Sequence, residues 1–422
     1  MTNINSNGVI SSLAIISESF RSVNISEGDI INYVDDTLFL HIFDNIPDFR
    51  QKWKVQYKLS NLLMLIFLVI LQYGKQSYVA IADYIEVGRK KYRNYGLLGD
   101  HCPSHDTIRR VLTMLSADSL QENTLQGFYN FLKQLEAHTL KQGDYTHIGV
   151  DGKEIRGSGR GKHTKNPLRN IAMLNIYDSS LGTCIMSVPI DKKENEIPVA
   201  QRLIREMNLK NNVITADALH CQKETAKIIH EQKGIYILTV KDNQKGLVEE
   251  IDNRFNNNRI KKKKFKQDGR IIEIIALPKS YALRDEWKGL KAYAKMTSTK
   301  RKGTQCLRYF ISNTDDEKLI IEGIEKRWLI ENDLHRPKDI DFGEDAVRST
   351  DKNALQNIAV LNNLGLQLMR IYQALSGKPF IKAKRGMQAE SVECMNYILG
   401  VMGSEEIVSS LIEELHKQKK VR

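Results

Sequence analysis

Two periodicities of apolar residues divide this chain near residue 140. Before that point the spacing is helical. Leu59 to Tyr73 is apolar nearly all round, which predicts a buried helix, and Tyr78 to Val87 repeats apolar residues at helical spacing. Pro103-Ser104-His105-Asp106-Thr107 leads into Ile108, Val111, Leu112 and Leu115, a helix entry with Ser104 or Asp106 as its cap. Arg109 and Arg110 project from its first turns, as they would on a helix docked against DNA or on an ordinary packing domain.

After residue 140 the runs become short and β-prone: Thr146 to Val150, Asn170 to Tyr177 and Thr183 to Ile190. A helix over Glu196 to Met207, a strand over Asn212 to Ala216, a helix over Gln222 to Gln232 and a strand over Ile235 to Val240 follow. A meander followed by βαβ units predicts a mixed sheet with helices on both faces, the order of a ribonuclease-H-like α/β fold. A second β-rich stretch runs from about Lys261 to Ser312. Its strands lie near Ile271 to Leu277, Leu290 to Met296 and Cys306 to Ile311, with Asp268-Gly269 as a hairpin signal. Helical periodicity then returns from Glu317 to about Pro337 and from Ala354 to Leu375.

The expected organisation is a poorly ordered or accessory N-terminus (1–35) and an all-helical domain (36–140). A catalytic α/β domain (141–375) with a β-rich insertion at about 258–313 comes next, then a helical tail (376–422).

Composition narrows the class. The chain has 422 residues, 63 Lys+Arg and 51 Asp+Glu, for a formal charge of +12, a balance that suits polyanionic partners. The longest purely apolar run, Leu62 to Leu71, is too short to span a bilayer, and the polar start lacks a secretory pattern; a soluble, internal protein without membrane contact is expected. The five cysteines are scattered with no Cys-x-x-Cys pair, which argues against a disulfide framework or structural zinc.

Placement separates three carboxylates from the other acids. Asp151 ends the apolar run His-Ile-Gly-Val-Asp, and Asp217 ends Val-Ile-Thr-Ala-Asp; a charge ending a buried strand needs a partner or a metal. Asp178 and Asp191 also follow strands but border turns, where Asp is expected for local bonding. Glu331 shares a helical face with Ile324 and Trp328, with Arg327 as one compensating partner and a shared metal as the other. Three such carboxylates make an oxygen-only site for two Mg²⁺, with Mn²⁺ as substitute, suited to in-line phosphoryl displacement. Asp217 lies 66 residues after Asp151, and Glu331 lies 114 after Asp217, the longer gap being the one an inserted β domain creates.

Several strings, in order, resemble one family. They are Pro103-Ser104-His105-Asp106-Thr107 with Arg110; Asp151-Gly152-Lys153 with Arg156-Gly157-Ser158; and Asn195-Glu196-Ile197-Pro198. Asp217-Ala218 with Cys221-Gln222, Lys241-Asp242-Asn243-Gln244, and Trp328-Leu329-Ile330-Glu331-Asn332 with Leu334-His335 and Asp339 to Asp345 follow. From about residue 40 to 375 the chain resembles the insertion-sequence transposases that include the H-repeat-associated proteins, of the Asp-Asp-Glu class. The resemblance implies Asp151, Asp217 and Glu331 as a metal-binding catalytic triad. It also implies a DNA transposase that cuts double-stranded DNA at its element's terminal inverted repeats and joins the ends to target DNA, acting as a homo-oligomer.

Lys153, Arg156, Lys241 and Asn243 then become candidates for holding phosphates, with surface charge as the alternative. The block departs from the family pattern in having Arg327 where His is usual and Arg336-Pro337 after Leu-His. Arg327 with Glu331 and Lys338 resembles the signature of a related transposase branch, where an arginine and a lysine could clamp a phosphate. The alternatives are a catalytically impaired or co-opted relative that regulates by binding DNA, and a metal-dependent nuclease on the same fold.

Overall fold

The computed structural model describes residues 2–3, 12–23, 37–74, 76–141, 143–159, 169–190, 195–267, 269–299 and 304–421. Asp191 and the hairpin residue Asp268 lie outside the described residues.

The strands are β1 (Thr2–Asn3), β2 (Thr146–Ile155), β3 (Ile171–Asp178), β4 (Thr183–Ile190), β5 (Asn212–Ala216), β6 (Ile235–Val240), β7 (Lys263–Gln267), β8 (Arg270–Ala276), β9 (Ala292–Thr299) and β10 (Gln305–Ser312). They form one sheet in the order β1-β7-β8-β9-β10-β6-β5-β2-β3-β4. Within it β4-β3-β2 is an antiparallel meander, and β5 and β6 run parallel to β2. This is the ribonuclease-H-like arrangement, with helices on both faces. The inserted strands do not make a sheet of their own: β10 pairs antiparallel with β6, so the insertion lengthens the main sheet. An unpaired β6 edge would leave a row of backbone donors and acceptors open, and β10 satisfies them.

Burial follows the side-chain alternation of the strands. One face packs Val199, Leu203 and Ile204 of helix Glu196–Glu206 and Ile228 and Ile229 of helix Lys223–Glu231 against Ile148, Val150, Ile214 and Leu238. On the other, Ile320, Ile321 and Ile324 of helix Glu317–Lys326 meet Val213, Ile237 and Phe310.

At the meander end a 25-residue helix, Lys352–Ser376, lies against β4 and runs through the largest core. Leu59–Tyr73 crosses that core, buried along most of its length, and ends at Gly74 in the left-handed region (φ 59°), where a Cβ would strike the Asp341 carbonyl. Helix Ser12–Ser22 buries Ile15, Ile16 and Phe20 in the same core, and helices Phe380–Ala389, Ser391–Gly403 and Glu405–Val421 complete it. The N-terminal and C-terminal helices therefore share one body. No single helix among the described residues is long and apolar enough to cross a membrane.

Ser104, not Asp106, caps helix His105–Met114, its Oγ accepting from the Thr107 N–H at 3.3 Å.

Candidate active site

The pairing of β2 with β3 carries β2 five residues past Val150, to Ile155, so Asp151 lies within a strand and not at its end as the apolar run suggested. Val150 pairs with Ala216 on the parallel neighbour β5. The next residues, Asp151 and Asp217, therefore stand side by side on the same face. The Oδ1 of Asp217 accepts the Leu219 N–H at 2.8 Å, which turns the chain away from the sheet. The loop after β6 braces that turn, Asn243 Nδ2 donating to the Ala218 carbonyl at 2.7 Å and Gln244 Nε2 to that of Cys221 at 3.0 Å.

Glu331 arrives from the same face. Regular α-helix ends at Lys326, and Ile330–His335 is a turn of π-helix, which continues into Arg336–Ile340 with Pro337 in its first turn. The extra residue rotates Glu331 out of the expected buried stripe, and its side chain is 52% exposed. Its near partner is His335, not Arg327: His335 Nδ1 lies 3.5 Å from both Glu331 Oε2 and Asp151 Oδ2.

Asp151, Glu331 and His335 each offer a ligand atom within 4.8 Å of the others. Asp217 is outside that tight group but close enough to act on Asp151. A fourth acid, Glu196, acts on Asp151 electrostatically from the other side of β2; a Cβ on Gly152 would land on its carboxylate, and its Oε1 lies 2.8 Å from Nε2 of the buried His220.

These acids repel one another. Burial first, then Glu331, Asp217 and Glu196, push the Asp151 carboxyl up to about 8. Hydrogen bonding to His335 holds Glu331 down, to about 2. The Asp151 and Glu331 carboxylates thus share a proton, retained on the more buried one.

Behind His335 the packing is polar and closed. Its Nε2 lies 3.3 Å from Asn175 Nδ2, Asn175 Oδ1 accepts from Ser187 Oγ at 2.6 Å, and Ser187 Oγ accepts from Asn363 Nδ2 at 2.8 Å. In this arrangement Nε2 accepts, so the imidazole proton sits on Nδ1 and points at the two carboxylates.

The basic residues expected to hold phosphates divide into two groups. Lys153, on the same face of β2 as Asp151, is paired with Asp339 and lies 3.0 Å from Glu344. Lys338 is fully buried, 2.9 Å from the other oxygen of Glu344. Burial alone would raise the Glu344 carboxyl, but Lys338 and Lys153 outweigh it and hold it at about 2. Both lysines are engaged in an internal clamp, and Asn243 braces its loop. Arg109, Arg110 and Lys241 are exposed, and Arg156 is exposed with an ion pair to Asp345 at 3.1 Å. Arg327 is half-buried beside the acids, its guanidinium 3.9 Å from the centre of the Trp328 ring.

Sequence reasoning named neither His335 nor Glu196 as a site residue. The four-residue spacing from Glu331 to His335 was the available signal for the first, and the string Asn195-Glu196-Ile197-Pro198 for the second. The donor set suits a hard divalent cation: carboxylate oxygens on adjacent strands and a facing turn, with mutual repulsion that a dication would relieve.

Residues 142–368 match the transposase DDE domain, and residues 40–126 match the DDE transposase-associated domain. "Putative transposase YncI" of Escherichia coli O157:H7 is 31% identical over 362 residues, covering 81% of this chain and 88% of the relative. "H repeat-associated putative transposase YhhI" of Escherichia coli K12 is 26% identical over 378 residues, covering 85% of this chain and 95% of the relative. Among solved structures, a piggyBac transposase synaptic complex with hairpin DNA aligns at a TM-score of 0.40 and 12% identity, covering 97% of this chain and 85% of that one. By its domain match and its relatives, this chain belongs to the DDE transposase family, with the H-repeat-associated proteins.

Proposed function

We propose that the protein is a DNA transposase that cuts double-stranded DNA at the inverted repeats ending its own element and transfers the freed 3′ ends to target DNA. The observation that carries this reading is the crowding of acids around Asp151, which burial and three neighbouring carboxylates leave protonated up to about pH 8. Such crowding is costly in a scaffold and useful where a multivalent cation is to be held.

Asp151, Asp217 and Glu331 would hold the metal, Mg²⁺ with Mn²⁺ as substitute. When bound, divalent cations supply Lewis acidity that activates a water or 3′-hydroxyl and stabilises the leaving oxygen. The protein's own part is orientation. The β2–β5 register sets two carboxylates side by side, the π turn brings the third, and His335 fixes Glu331 relative to Asp151. Exposed Lys241, Arg156, Arg109 and Arg110 would attract the duplex electrostatically. A homo-oligomer would let two ends be processed together.

The test is strand cleavage of DNA carrying the gene's flanking repeats with Mg²⁺, comparing wild type with Asp217→Asn. Defined cuts by wild type, reduced by about three orders of magnitude in the variant while DNA binding persists, are expected. Binding without cutting by either protein would replace the transposase with a DNA-binding regulator. Cutting without strand transfer would leave a nuclease.

A further inference from the structure

Beside the carboxylates stands a pair of cations that make no direct ion pair among the described residues. Arg327 precedes the π turn, and Arg308 comes from β10 in the insertion. Both guanidiniums lie on one indole, that of Trp328, at 4.6 Å for Arg308 and 3.9 Å for Arg327 from the ring centre. Both arginines are half-buried. Among the described residues neither has a carboxylate in ion-pairing range, and Arg327 Nε is a buried donor without a partner.

Topology explains how a residue of the insertion reaches the site. β10 pairs with β6 through Tyr309 opposite Val240, so Arg308 comes level with the residue that follows β6. That is the sheet end where Asp217 follows β5. Arg308 also shares the side-chain parity of Phe310, which packs under helix Glu317–Lys326, so it faces the side from which Trp328 and Glu331 approach.

A half-buried guanidinium normally takes a carboxylate, and leaving one without an anion is expensive. Two of them against one indole ring repel each other: burial first, and then Arg308, disfavour the charge on Arg327, while Asp151, Asp217 and Glu331 favour it. The stacking stabilises each cation and restrains its guanidinium plane, but it supplies no acceptor. Planar, fixed N–H donors without acceptors are the geometry that recognises phosphate oxygens.

We propose that Arg308 and Arg327, held on Trp328, form a phosphate seat beside the metal-binding carboxylates, and that the inserted strands serve the site by delivering Arg308 to it. The chemistry recognised is a phosphodiester or a phosphate anion. The proposal deepens the transposase reading and takes the DNA source of that phosphate from it.

Two arms separate the sources. In metal-free buffer, calorimetry with inorganic pyrophosphate compares the full-length wild type, Arg308→Gln and Arg308→Lys. Arg308→Gln is expected to weaken binding about tenfold and Arg308→Lys by less, because charge survives while the fork is lost. In Ca²⁺, binding of duplex DNA is followed against salt, where Arg308→Gln should reduce the slope of log Kobs against log salt by about 1. Thermal melts within a few degrees of wild type would show the variants folded. Equal pyrophosphate affinity in wild type and a folded Arg308→Gln, or no pyrophosphate binding by either, overturns the seat. A pyrophosphate difference with an unchanged DNA slope assigns the seat to a free phosphate anion and overturns its DNA role. A pyrophosphate difference without DNA cleavage by wild type leaves the seat standing and removes the transposase reading.

Discussion

Two residues apart on β2, and on the same face, Asp151 and Lys153 live in opposite electrostatic settings. Lys153 is answered: Asp339 and Glu344 meet it, and Lys338 and Asn362 close the remaining valences of Glu344, Asn362 Nδ2 donating to its Oε1 at 3.2 Å. Asp151 faces Glu331 and Asp217 and feels Glu196 from the other side of the strand, with the His335 proton and the nearby Arg327 as compensation. Both clusters are rich in charge, and both draw on the motif that carries Glu331. A cluster that satisfies itself is scaffold; one left in surplus of one sign is reserved for something that binds.

The widest separation of the two should come from Glu344→Gln. It leaves buried Lys338 without its anion and Lys153 with Asp339 alone, and removing one partner of a buried charge cluster costs about 3–5 kcal/mol. Urea denaturation would read this as a lower midpoint at unchanged slope. A loss below about 1 kcal/mol would mean that water reaches Lys338 and the clamp is not closed.

The acidic cluster should respond with the opposite sign. Between the unfolded carboxyl range near 4 and about 8, native Asp151 holds a proton that the unfolded chain has released. The native state therefore binds more protons there, and this group's contribution to stability falls as pH rises through that window, the full penalty being present above it. Asp151→Asn removes the penalty. In EDTA at pH 8.5 it should be more stable than wild type by about 1–3 kcal/mol, with the gap closing towards pH 5. Saturating Mg²⁺ should reverse the ranking, because it stabilises wild type by mass action. An unchanged ranking with metal would take Asp151 out of the metal site.

This contrast was only half legible in the sequence. The strand-helix order was readable because strands β2 to β6 are short apolar runs between clear turn and helix signals, and Asp217 fell at the end of its run. Periodicity could not show that β2 would continue through Gly152-Lys153-Glu154, because the ladder that sustains it is offered by β3. Nor could a regular helical repeat place Glu331 on a π turn. A sequence shows where the charges of Lys153 and Lys338 are and not which carboxylates answer them. The acids that answer Lys153 lie 186 and 191 residues away in the chain. Arg308 carries no sequence signal for the mirror reason: its environment is assembled by the pairing of β10 with β6, and it has no motif of its own.

The smallest effect belongs to a residue between the two settings. Arg156 follows β2 directly and pairs with Asp345, next to the clamp's Glu344, yet its side chain is 79% exposed. An exposed pair of this kind contributes about 0–1 kcal/mol, so Arg156→Gln should barely move the denaturation midpoint. If Arg156 belongs with the binding surface, its loss appears in the salt dependence of DNA binding, as a slope smaller by about 1. A change in stability approaching that of Glu344→Gln, with an unchanged salt slope, would extend the clamp outward by one residue and move Arg156 from the DNA surface into the scaffold. Stability and salt slope respond to different partners of the same guanidinium, so the pair of measurements decides on which side of Glu344 the scaffold ends.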